Sequence, residues 1–158
     1  MRIPLALVVA SLVWGTAPAH ANQPDTASMG RPVLAQQQAL LAKDRVVFKA
    51  LWHAEGYQKN LVGPSGLSGE SVFDQATRKG WYPRVVPAKL QQDGRNGLYI
   101  LAVEIYSPRE KRVLGTGWLL PVYLDTEKRW VILGGGEKLD EVIALARRWQ
   151  AKQPLTPP

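Results

Sequence analysis

The chain reads as a two-layer α+β domain: about four strands in a mainly antiparallel sheet, packed by an N-terminal and a C-terminal helix. Three observations predict it. Apolar residues recur at helical spacing in two separated stretches, one early and one last. Between them the pattern changes to extended runs punctuated by Pro, Gly and Asn-Gly. No internal repeat or second linker divides the chain, and 158 residues with 46% hydrophobic composition supply one core.

The first segment is an export signal. Met1 to Ala21 places Arg2 before an apolar run from Ile3 to Trp14 and ends on Ala19-His20-Ala21, so cleavage is expected after Ala21. The run is too short to cross about 30 Å of hydrocarbon, and Gly15 and Pro18 break it. No cysteine follows for lipid attachment. Removing Arg2 takes the formal charge from +7 to +6 in a mature chain with no transmembrane segment. The expected location is the periplasm or the exterior. Residues 22–32 are polar and turn-rich and read as a flexible lead-in. Residues 33–150 form the domain, and residues 151–158, with three prolines, read as a disordered tail.

Within the domain, Val33 to Glu55 has helical periodicity, with Leu34, Leu41, Phe48 and Trp52 near one face and Gly56 as a stop. Gly56 to Gly69 reads as a loop whose Leu61, Val62 and Leu67 pack back on the body. A short helix follows over Glu70 to Lys79, capped by Ser68 or Ser71, with Ser71 and Asp74 as a capping box, and ended by Gly80. Trp81 to Leu90 is extended, and Pro83 and Pro87 place it at an edge. Asp93 to Gly97 signals a hairpin. Leu98 to Tyr106 is apolar on both faces and reads as a central strand. In Val113 to Leu124 the inward face is Leu114, Trp118, Leu120, Val122 and Leu124, with a bulge or early end at Pro121. After Trp130 to Leu133 and three glycines, a last helix spans Glu137 to Gln150, with Leu139, Val142, Ile143, Ala146 and Trp149 as its apolar stripe.

The chemistry is mostly exclusion. Without cysteine there is no zinc-finger framework, iron–sulfur cluster or thiol nucleophile. The mature chain has one histidine, His53, which reads as structural. Ser65, Ser68 and Ser71 lie in a glycine-rich stretch without G-x-S-x-G and without a lysine three residues on. Gly134 to Gly136 lacks the lysine of a phosphate loop, and the acids Glu137, Asp140 and Glu141 that follow would repel an anion. Glu104 is the one carboxylate in the most apolar strand, where burial would raise its pKa. No catalytic residue, metal ligand or cofactor is assigned.

The densest basic and aromatic run is Arg78, Lys79, Trp81, Tyr82 and Arg84, which is the expected binding surface. Its interleaved charges and rings suit an acidic protein groove or an anionic glycan, and export argues against nucleic acid. The expected function is therefore an exported, non-catalytic binding or accessory protein of an envelope or secretion assembly, with an envelope protein or anionic glycan as partner. Two alternatives are a small inhibitor of a lysozyme-type hydrolase, plugging its target with Gly63 to Gly69, and a carboxylate-dependent cell-wall hydrolase using Glu104.

Overall fold

A computed structural model of the chain describes residues 28–86, 91–93 and 98–158. The expected signal segment, residues 22–27 of the expected lead-in, residues 87–90 with Pro87, and the expected hairpin turn at 94–97 lie outside the described residues. Four helices come first: α1 (Arg31–Leu41), α2 (Arg45–Ala50), α3 (Ala54–Gln58) and α4 (Gly69–Lys79). The strands follow: β1 (Tyr82–Val85), β2 (Gln91–Asp93), β3 (Leu98–Ser107), β4 (Arg112–Leu124) and β5 (Arg129–Gly136). Helix α5 (Leu139–Gln150) ends the fold. The sheet is antiparallel in the order β1-β3-β4-β5, and β2 resumes the pairing with β3 further along. The expected α+β class, antiparallel sheet and flanking helices are all present.

The continuous early helix of the sequence reading is instead three short ones. Lys43 takes the left-handed conformation (φ 54) that ends α1, and the Asp44 amide donates to the Ala39 carbonyl at 2.8 Å. The Asp44 carboxylate then caps α2 by accepting the Val47 N–H at 3.0 Å. His53 caps α3 by accepting from the Glu55 amide. The buried face of α1 is also rotated from the expected one. Val33, Gln36 and Leu40 point inward, whereas Leu34 and Leu41 are more than half exposed. Gly56 sits inside α3 rather than ending a helix. A Cβ there would overlap the Leu133 carbonyl oxygen at 1.9 Å, so glycine permits α3 to lie directly on β5.

Local signals elsewhere hold. Ser68 caps α4 by accepting the Ser71 amide, and Gly80 ends it at φ 74. Asp74 does not complete a capping box with Ser71 but pairs with Arg45, whose guanidinium also lies 4.5 Å over the Phe73 ring. The ladder between β4 and β5 shifts register between Leu120 and Pro121, where the bulge was expected. Leu114 is corrected: a second shift, between Ile105 and Tyr106, changes the phase of β4, and Leu114 is exposed.

Core side chains fall into two clusters. One joins Val33, Leu40, Phe48, Trp52 and Phe73 of the N-terminal half to Leu101, Val103, Leu119 and Ile132 of the sheet. The other joins Ile100, Leu120, Val122, Val131 and Leu133 to Val142, Leu145 and Ala146 of α5, with Trp118 packed beside them. Alternation along β3 sends Leu101 and Val103 to the first cluster and Ile100 to the second, so the N-terminal helices and α5 occupy opposite faces. The folded body also reaches past both expected ends. Met29 is buried, and α1 starts inside the expected lead-in. Leu155 packs on the second cluster while its carbonyl accepts from Arg148 at 3.2 Å, which returns the proline tail to the body.

Candidate binding cleft and open strand edge

The site arises from a mismatch in strand length. β4 has thirteen residues and β5 eight. Their pairing begins at Leu124 with Arg129 and ends at Trp118 with Gly136, where the chain leaves the sheet for α5. Residues 112–117 continue along β3 but meet no strand on their other side among the described residues. An antiparallel strand directs alternate backbone N–H and C=O pairs to each neighbour, so this overhang presents unpaired groups. Other stretches of the sheet margin are covered. The outer edge of β5 exchanges backbone hydrogen bonds with Leu51 and His53 through Ile132, and Gly136 bridges to Gly66. α1 packs beside β1.

Next to the overhang lies a cleft of about 570 Å³ on the face of the N-terminal helices. α4 supplies one wall through Val72, Gln75 and Lys79, continued by Trp81 and Pro83. Val103, Ile105 and Leu119 form the sheet side. Gly115 and Gly117 face the same way, because each sits opposite Ile105 or Val103. A Cβ on Gly115 would meet nothing within 4 Å, so the floor there is bare backbone. Leu67, Val113 and Leu114 are exposed apolar side chains around this margin.

The loop at Pro64 to Leu67 closes the remaining side and is held firmly. The Ser65 amide donates to the Glu141 carboxylate at 2.9 Å, and the Ser65 hydroxyl accepts the Lys138 amide at 3.2 Å. The Asn60 side chain donates to the Gly63 and Gly66 carbonyls. The Ser65 amide, helped by its hydroxyl and by Lys138, holds the Glu141 carboxyl below its ordinary value of 4.5.

Two polar side chains in the lining are buried. Gln36 is 0% exposed, and neither its Oε1 nor its Nε2 has a hydrogen-bond partner. Trp52 is 4% exposed, and its indole N–H is also unpartnered. A buried polar group left unpaired costs about 1–3 kcal/mol, so each of these two groups is energetically expensive as it stands.

No protein-family model, curated protein or solved structure matches the chain.

The basic and aromatic run is divided by the pleat. Lys79 and Trp81 line the cleft, and Arg78 is exposed at the end of α4. Tyr82 and Arg84 lie on the other side of β1. There Arg84 pairs with Glu104 at 2.9 Å and stacks 4.2 Å over the Tyr106 ring, with the Tyr82 ring 5.8 Å from Tyr106. Glu104 is thus an ion-paired carboxylate away from the cleft. His53 caps a helix and meets the Trp149 ring edge-on. Sequence reasoning missed Gln36, Trp52 as a polar group, and the glycine floor. The one available signal was Gln36 itself, a polar residue three after Val33 and four before Leu40, visible only once the inward face of α1 is known.

Proposed function

We propose that the protein is an exported, non-catalytic envelope protein that captures an extended segment of a protein partner as an added strand along β4. The carrying observation is the unpaired edge of residues 112–117 beside the cleft. Backbone groups spaced for a strand are best matched by another backbone, and the adjoining depression receives alternate side chains of that strand. This favours the protein partner over the anionic glycan.

The alternatives find less support. The segment at Gly63 to Gly69 is tied to Asn60, Glu141 and Gly136 rather than presented as a plug. Glu104, the acid of the hydrolase reading, pairs with Arg84 on the other side of the sheet, and Glu70 and Asp74, which could have served as a second carboxylate, both pair with Arg45.

The test uses peptides selected on the mature protein from a displayed random library. Backbone hydrogen exchange is then measured with and without a selected peptide. Expected is new protection at every second amide across 112–117, since the others already face β3. Protection confined to other surfaces, or uniform protection without alternation, overturns strand capture.

A further inference from the structure

Resting on strand capture, we propose that the buried end of the cleft is a specificity pocket for an uncharged carboxamide, the side chain of an Asn or Gln on the captured strand. A strand laid beside the overhang aligns side chains in rows with those of β4, on the same faces. The row over Gly115 has no β4 side chain in it and a Cβ there would meet nothing within 4 Å, which leaves room for one from the partner, while over Gly117 the Gly136 carbonyl oxygen would lie 3.2 Å from such a Cβ. That side chain enters the cleft in which Gln36 and Trp52 are the buried polar residues.

The donor and acceptor inventory selects the group. Gln36 offers one acceptor oxygen and an NH₂ donor, and the Trp52 indole is a donor only. A carboxamide matches this set: its N–H donates to Gln36 Oε1, and its oxygen accepts from Gln36 Nε2 and Trp52 Nε1. A carboxylate would satisfy the donors, leave Gln36 Oε1 unpaired and bury a charge. An ammonium would find one acceptor and the same burial penalty. The charged side chains in the lining, Lys79 and Glu137, are exposed rather than buried beside Gln36. A purely apolar side chain would leave all three atoms unpaired.

The test begins with small probes on isotope-labelled mature protein. Acetamide, sodium acetate and methylammonium chloride are titrated while the Gln36 NH₂ and Trp52 indole N–H resonances are followed. Expected are saturable shifts with acetamide, weaker by at least about tenfold with either ion, and absent in Gln36→Leu that retains its fold by thermal melting. Trp52→Phe gives a second variant, in which the Gln36 response weakens but persists. Equal response to acetate, or an acetamide response unchanged in Gln36→Leu, overturns the pocket. Selected peptides supply the second arm: replacing their Asn or Gln with Leu is expected to weaken binding by about tenfold or more while alternate protection at 112–117 remains. Unchanged affinity overturns the pocket and leaves strand capture standing. Loss of alternation with the parent peptide refutes strand capture, while the acetamide titration still judges the pocket.

Discussion

Gln36 is a residue whose chemistry opposes its place in the fold. It sits in a helix face otherwise made of Pro32, Val33, Ala39 and Leu40, with both polar atoms unpaired. Replacing such a group with an apolar one of similar size removes a desolvation penalty and keeps the packing. Gln36→Leu is therefore expected to raise stability by about 1–2 kcal/mol, read as a higher denaturant midpoint with an unchanged slope. A destabilised variant would show that the amide has a partner in solution. The contrast with Ser68 and Gly80 explains which residues were legible. A cap depends on its own turn, so Ser68 and Gly80 could be placed from sequence. The burial of Gln36 depends on which side of α1 meets the sheet, a decision made by partners far along the chain.

At the scale of elements, the loop that bounds the cleft is coupled to proton concentration through Glu141. Its folded pKa is depressed, so its contribution is whole above the ordinary value of 4.5 and is lost as pH falls through the lower folded value. The loop at residues 64–67 is expected to loosen from α5 below about pH 4.5. The Ser65 amide resonance, followed against pH, reports this directly. Glu141→Gln should abolish that titration, and a titration surviving in the variant would assign it elsewhere. Helix α4, the central strand and the Pro121 bulge were readable because caps, two-sided apolar character and a missing N–H are local properties. The break at Lys43 was not, because apolar spacing continued across it and only Asp44, an N-cap residue in mid-run, marked the interruption. The face of β4 was right from Trp118 onward and wrong at Leu114, because a bulge reverses the in-out phase of every residue beyond it.

For the whole molecule, the proposed export and the net charge set the expected behaviour. The secreted product should begin at Asn22 by mass spectrometry, and an intact Met1 on a membrane-bound form would contradict cleavage. With a formal charge of +6 after the expected cleavage, partner capture should weaken as salt shortens the Debye length from about 10 Å at 0.1 M to about 3 Å at 1 M. Reversing Arg78 and Lys79 to Glu should slow association with an acidic peptide and leave the melting temperature nearly unchanged, since exposed charges contribute little to stability. Association unaffected by this double reversal would remove α4 from the encounter surface. Fold class was legible because it follows from the order and periodicity of elements. The cleft was not, because it comes from β4 outrunning β5, a difference of lengths that no single segment reveals.

The overhang also bears on the protein's solubility without a partner. An unpaired antiparallel edge is a template for any strand, including the same six residues of another copy related by a two-fold axis. The chain's net formal charge of +7 sets like charges against each other whenever two such copies approach. Screening that repulsion removes the safeguard, so concentrated, partner-free protein in high salt should drift toward dimers and larger edge-paired aggregates. A bound strand would act as its own antidote to this, occupying the margin through which the molecule would otherwise precipitate.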